Sequence, residues 1–78
     1  MDDIKKFRVK LVWSIESGTW YTVSDDVPGL AIGAKTFDAL VERVREIAPE
    51  LIECNLGYKG VIELHFDVER IEVMQAVS

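Results

Sequence analysis

Hydrophobic residues alternate with polar ones near the start of the chain, at the spacing of two that a β-strand requires. The alternating apolar positions are Phe7, Val9, Leu11, Trp13 and Ile15. This pattern predicts a strand with one face in the core and one face largely in water. A turn around Gly18 follows, and a second strand rich in aromatic and β-branched residues is predicted over residues 20–24. Such a turn would allow Trp13 and Trp20 to be neighbours across the two strands.

The segment after the second strand predicts a turn, a short third strand and the start of a helix. Pro28 has no N–H to donate to a β-ladder, and Gly29 can turn the chain freely, so the second strand should end before them. Residues 30–34 are short and apolar, which predicts a third strand that continues the meander. Thr36 is a natural N-cap, because its hydroxyl can accept from a free N–H of the first helical turn.

The residues after Thr36 have the spacing of an amphipathic helix. Apolar side chains recur at intervals of three and four and so form one face: Phe37, Leu40, Val41, Val44, Ile47, Ala48, Leu51 and Ile52. Pro49 lies inside this pattern, which predicts either a kink near Ala48 or a break followed by a second short turn. Asn55 and Gly57 should end the helix.

The last part of the chain predicts a further amphipathic strand with a change of phase after it. Four alternate positions of this strand are apolar: Ile62, Leu64, Phe66 and Val68. The next apolar residues, Ile71 and Val73, are out of phase with that series, and a slip of one residue exchanges the two faces of a strand. The segment up to Ser78 is therefore either a bent continuation or a fifth strand.

Together these elements predict an α+β fold in a single domain, residues 1–78. We expect an antiparallel β-meander of three strands, one main α-helix and then one or two further strands, with the helix packed on one face of an antiparallel sheet.

Size and charge narrow the function classes. The chain has 78 residues and a formal net charge of −5. A domain of this size buries only about 60% of its unfolded surface, so self-association or a partner would stabilise it. We expect a homodimer through Ile71 and Val73, which cannot share the core face of the preceding strand without a bulge. The negative charge argues against nucleic acid as the main partner and suits a basic protein, although it also simply favours solubility.

Cysteine usage and the apolar runs indicate the compartment. Cys54 is the only cysteine, so no internal disulfide can form, as is usual in a reducing compartment. The first residues, 1–6, start acidic and do not read as a secretory signal. No apolar run approaches the roughly 18 residues of a membrane span. These features predict a cytoplasmic protein.

The candidate chemical groups are sparse. Glu63, His65 and Asp67 project from the same side of the last strand, so a metal site or an acid–base pair can be imagined there. A wet strand face with one histidine and two acids is nevertheless ordinary. Asp25 and Asp26 are adjacent, so in an extended segment they point apart and make a poor catalytic pair. We therefore predict no enzyme activity, no cofactor and no metal.

The order of these motifs resembles the antitoxin half of HicA–HicB toxin–antitoxin modules. The resemblance rests on segment 18–30, in which an aromatic strand ends in an acidic Pro-Gly turn, and on the Thr-led helix start at residues 36–40. It extends well over residues 7–55 and loosely over the last strand. It implies a HicB-like fold, similar to a trimmed ribonuclease-H core.

The resemblance also implies a function. HicB proteins bind and neutralise HicA, a small basic ribonuclease, so this chain is expected to be a protein-binding module without catalysis. The residues expected to meet the partner are Trp20, Tyr21, Asp25, Asp26, Pro28 and Gly29. The sequence leaves no room after residue 78 for the DNA-binding segment of longer members, so no direct nucleic-acid binding is expected. The alternative is a small homo-oligomeric structural or regulatory protein with no toxin partner.

Overall fold

The structure is a computed structural model that describes residues 4–77. The acidic residues Asp2 and Asp3 and the last residue, Ser78, lie outside the described residues. The elements in chain order are β1 (Lys5–Ser14), β2 (Thr19–Val23), β3 (Gly33–Ala34), α1 (Phe37–Leu56) and β4 (Ile62–Glu69). The predicted α+β class is confirmed, with one helix and one four-stranded sheet in the described part of the chain.

The sheet has the strand order β3-β2-β1-β4, and its pairing is mixed. β1 pairs antiparallel with β2, and β2 pairs antiparallel with β3, as the meander predicted. β4, however, runs parallel to β1, so the expectation of an antiparallel sheet was wrong for this strand. The physical reason is that α1 carries the chain back along the sheet, so the next strand runs in the same direction as β1 and β3. A helical crossover of this kind is the connection that a parallel pair of strands needs.

The core lies between the sheet and α1. Alternate residues of β1 and one face of the helix both contribute to it, and the buried apolar side chains are Phe7, Val9, Leu11, Trp20, Val27, Leu30, Leu40, Val44, Ala48 and Ile52. Trp13 and Trp20 are paired across β1 and β2, as predicted, with ring centroids 5.4 Å apart. The edge of Trp20 also meets Phe37 at 5.2 Å, which ties the start of the helix to the sheet.

The predicted helix ends are confirmed. The Thr36 hydroxyl accepts a hydrogen bond from the Ala39 N–H at 3.1 Å, and Gly57 ends the helix with φ +68°. Of the two alternatives predicted at Pro49, the break is absent, because α1 is continuous from Phe37 to Leu56. Pro49 and Arg45 are both exposed, so the Arg45 carbonyl that proline leaves without an intrahelical donor can bond to water instead.

The third strand is shorter than predicted, with two residues rather than five. The Thr22 side chain explains the difference. Its hydroxyl accepts from the Ile32 N–H at 3.1 Å and lies 3.4 Å from the Leu30 carbonyl, so it takes bonds that a longer ladder would make. After β4 the chain continues through residue 77 without a fifth strand. Over the described residues, no helix has both the length and the apolar character needed to cross a membrane.

The central strand should be the most sensitive part of the fold. Leu11 is fully buried, and its replacement by alanine should cost about 2–5 kcal/mol, because a cavity remains between β1 and α1. Ile15, in the turn just after this strand, is 59% exposed and provides the control, since Ile15→Ala should change stability by about 0.5 kcal/mol or less. Urea unfolding followed by tryptophan fluorescence measures both, and equal losses would contradict this account of the core.

Candidate protein-binding face

One face of the sheet is covered by α1, and we call the opposite one the open face. Because side chains alternate along a strand, the even-numbered residues of β1 and the odd-numbered residues of β2 and β4 lie on it. Its members are Lys6, Arg8, Lys10, Val12, Tyr21, Val23, Glu63, His65, Asp67 and Glu69. The open face thus combines a charged half on β1 and β4 with a small apolar half on β1 and β2.

The charged half of the open face is a ladder between a basic strand and an acidic one. Arg8 lies 3.7 Å from Asp67, and Lys10 lies 4.0 Å from Glu69. All four side chains are about half exposed or more, so each pair contributes roughly 0–1 kcal/mol and can exchange partners readily. Three basic side chains face three acidic ones on these two strands, and the adjoining Asp25 and Asp26 leave the surface two charges negative.

The side chain of Asp26 makes a hydrogen bond within the fold. Its Oδ2 accepts a hydrogen bond from the Arg8 N–H at 2.7 Å, and the Ser24 hydroxyl donates to the Arg8 carbonyl at 2.8 Å. β2 has ended at Val23, so no backbone of that strand is left to pair with β1 at Arg8. The two short side chains therefore replace one rung of the ladder, which gives Asp26 a structural role.

Pro28 and Gly29 also serve the fold. The Leu30 N–H donates to the Val27 carbonyl at 3.2 Å, and Gly29 has φ +85°, which together define a type II turn with proline and glycine at their preferred places. Val27 and Leu30 on either side of the turn are buried. The Asn55 amide donates to the Pro28 carbonyl at 2.9 Å, so the turn is held against the end of α1.

The structure divides the predicted partner-binding residues into two groups. Trp20 is only 7% exposed and belongs to the core, so it presents almost no surface to a partner. Tyr21, by contrast, is 41% exposed on the open face, and Val23 beside it is 47% exposed. Asp25 is exposed and borders a shallow depression of about 230 Å³ whose rim also includes Val23. Asp26, Pro28 and Gly29 are exposed as well as serving the fold, so Trp20 is the predicted residue that the structure withdraws from the surface.

The possible catalytic group on β4 does not converge. His65 Nε2 lies 2.6 Å from a Glu63 carboxylate oxygen, but Asp67 is directed to Arg8. Within residues 4–77, no three His, Cys, Asp or Glu side chains come together as metal ligands. The contact between His65 and Glu63 is a hydrogen bond that lies beside the ion-pair ladder on the open face.

The predicted oligomer residues lie beyond β4, in a segment that we call the C-terminal arm, residues 71–77. Ile71 is 61% exposed and Val73 is 88% exposed. Sequence reasoning missed the contact that holds the root of this arm: the Arg70 guanidinium lies 4.6 Å from the Trp13 ring centre. No local sequence pattern predicts that contact, because the two residues are brought together only by the pairing of β1 with β4.

The fold and this surface define a small two-layer α+β domain with a charged open sheet face. The chain belongs to the family described as a domain of unknown function, DUF1902, whose model matches residues 6–78. It is also similar to a solved structure, that of the hypothetical protein TTHA1013 from the extremely thermophilic bacterium Thermus thermophilus. The two share 35% sequence identity over 90% of this chain and 100% of that chain, with a TM-score of 0.76. None of the curated proteins compared with the sequence matches it.

The two neighbouring aspartates should respond differently to substitution. Asp26→Ala removes the acceptor of the Arg8 N–H and should cost about 0.5–1.5 kcal/mol, because a strand N–H then depends on water alone. Asp25→Ala is the matched control and should change stability by about 0.5 kcal/mol or less. Urea unfolding provides both values. A larger loss for Asp25→Ala than for Asp26→Ala would refute the structural role of Asp26.

Proposed function

We propose that this chain is a non-catalytic protein-binding module of the antitoxin type, whose open face binds a small basic protein such as a HicA-type ribonuclease. The observation that carries the proposal is the apolar half of the open face. There, Tyr21 and Val23 are both exposed, and Val23 lines the same shallow depression as Asp25. An exposed aromatic side chain can anchor an interface, while nearby acids attract a basic partner and orient it.

The absence of a suitable acid on β1 supports a role without catalysis. A nuclease that uses two metal ions needs carboxylates that project from central strands. β1 is the central strand, and its ten residues include no Asp or Glu. The acids of the open face come instead from β4 and the β2–β3 loop, and those of β4 are engaged in the ion-pair ladder or, for Glu63, in the contact with His65.

The strand order supports the HicB-like part of the proposal. A ribonuclease-H-like core has an antiparallel meander whose first strand also pairs in parallel with a strand after the helix. Here β1 pairs with β2 and β4 in those two directions. We propose on this basis that the domain is a HicB-like core. With its single cysteine it would act in the cytoplasm.

The alternative function, a homo-oligomeric structural or regulatory protein without a toxin, is favoured by a different observation. The C-terminal arm exposes apolar side chains that are not among those of the open face. The two functions do not compete for one surface, so self-association through the arm leaves the open face available to another protein.

Binding of a basic protein can be tested with variants of two exposed residues. Tyr21→Ala and Asp25→Lys should each weaken binding of a HicA-type ribonuclease by about 10-fold or more, because one loses the anchor and the other reverses a charge at the interface. Raising the salt concentration should slow association. Isothermal titration and stopped-flow mixing supply the affinities and rates, and co-expression with the toxin reports neutralisation.

The control for this experiment is Glu16→Lys, which makes the same charge change in the exposed β1–β2 turn. It should leave the affinity within about threefold of the original value, since long-range charge effects on affinity are small in salt. Binding that Glu16→Lys and Asp25→Lys weaken equally would place the partner away from the open face.

Duplex DNA and RNA should not bind. The basic side chains Lys6, Arg8 and Lys10 form a line on the open face, but acids flank them on both sides and would repel phosphates. A gel-shift titration at low salt should show no complex. A tight complex that dissociates as salt rises would contradict the proposal.

A further inference from the structure

The C-terminal arm places apolar side chains in water. Ile71, Val73, Met74 and Val77 are 61%, 88%, 80% and 94% exposed. The Cα radius of gyration is 15.0 Å, whereas a compact chain of this length has about 11.5 Å. The longest dimension is 58 Å against 23 and 19 Å for the other two. These values describe a compact domain from which a segment projects.

The root of the arm is fixed to the domain. The Arg70 guanidinium lies 4.6 Å from the ring centre of Trp13 and 5.9 Å from that of Trp20, a cation–π arrangement over the tryptophan pair. Glu72 lies 3.7 Å from the other side of the same guanidinium. The contacts at Arg70 hold the first residues of the arm at the end of the sheet, while its apolar side chains remain exposed.

The same chain offers a surface that such an arm fits. β4 is an edge strand in the order β3-β2-β1-β4, so one side of its backbone is not paired within the sheet. Its helix-side apolar residues are incompletely covered, since Leu64 and Phe66 are half-buried and Val68 is 56% exposed. An edge strand with exposed apolar side chains is the usual template for the addition of another strand.

The arm and β4 match in length. The arm has seven residues and β4 has eight, which as extended chain is about 23 and 26 Å. In the arm, Ile71, Val73 and Val77 lie at spacings of two or four, so as a strand it presents one mainly apolar face. Each copy of the chain therefore supplies one strand to donate and one edge to receive it.

We propose that the arm of each chain pairs with the β4 edge of a second copy, which gives a reciprocal arm-exchanged homodimer. The donated strand covers Phe66 and Val68 of the other copy and removes its own apolar side chains from water. A two-fold axis satisfies both arms and both edges at once and leaves none open to further addition. A second copy meets this requirement, whereas a different protein bound to the arm would leave the β4 edge exposed. The proposal does not depend on the toxin-binding function.

The first experiment measures mass by sedimentation equilibrium of the full chain over a wide concentration range. The unaltered chain should have twice the 8.8 kDa chain mass. Ile71→Lys with Val73→Lys should give a single-chain mass with circular dichroism of a folded domain. The matched control is Ile15→Lys with Leu56→Lys, which adds the same charge at apolar positions that are 59% and 49% exposed outside the arm. The control should remain a dimer.

The second experiment locates the contact and does not depend on the lysine variants folding. Cys54 is replaced by serine in two differently tagged chains, of which one carries Met74→Cys and the other Asp67→Cys. A short bismaleimide should join the two tags in the mixture, because the middle of the arm then lies beside the middle of β4.

Three results would overturn the proposal. An unaltered chain that stays at single-chain mass at the highest concentration would exclude the dimer. A dimer that survives Ile71→Lys with Val73→Lys, or one that Ile15→Lys with Leu56→Lys disrupts equally, would show that the arm is not its specific contact. A dimer in which Met74→Cys and Asp67→Cys are never joined would place the contact elsewhere.

Discussion

The central position of β1 is the constraint on which the rest of this structure depends. β1 is the one strand of the described sheet that forms two long ladders, antiparallel with β2 and parallel with β4. Its odd-numbered side chains supply the middle of the core, and its even-numbered side chains supply the middle of the open face. The alternation of side chains along this one ten-residue strand therefore fixes the middle of both the core and the open face.

Short polar side chains supply the backbone hydrogen bonds that the short strands do not make. Asp26 and Ser24 satisfy the backbone of Arg8 where β2 has ended, and Thr22 does the same for the segment before β3. Asn55 fixes the carbonyl of the Pro28 turn. The acidic Pro-Gly segment resembles a binding motif in the sequence, but most of its residues also hold the fold together. The family resemblance in this segment includes residues that the fold itself requires.

The two surfaces that remain differ in their physics. The open face carries exposed ion pairs, each of small net energy, beside a modest apolar patch, so contacts there should be sensitive to salt and easily reversed. The C-terminal arm carries apolar side chains that are 61–94% exposed, so the association proposed for it would be driven by removal of apolar surface from water. The two proposed interactions would therefore depend on different forces, one mainly electrostatic and one mainly hydrophobic.

The sequence by itself determined the elements whose causes are local. The period of two in β1, the Thr36 cap, the Gly57 end of α1 and the pairing of Trp13 with Trp20 across a short turn all depend on residues near one another in the chain. Their preferences are set by backbone geometry and nearby hydrogen bonds, so the pattern is sufficient to predict them.

Only the tertiary structure decided the features that join distant segments. The parallel placement of β4 and the burial of Trp20 depend on how α1 packs on the sheet, and the bond from Arg8 to Asp26 depends on where β2 ends. A polar or aromatic residue has the same local pattern whether it faces a partner or completes the fold. The change of phase after Val68 indicated that Ile71 and Val73 leave the core face, but only the structure shows how far the whole arm is exposed, because exposure depends on which segments pack against it.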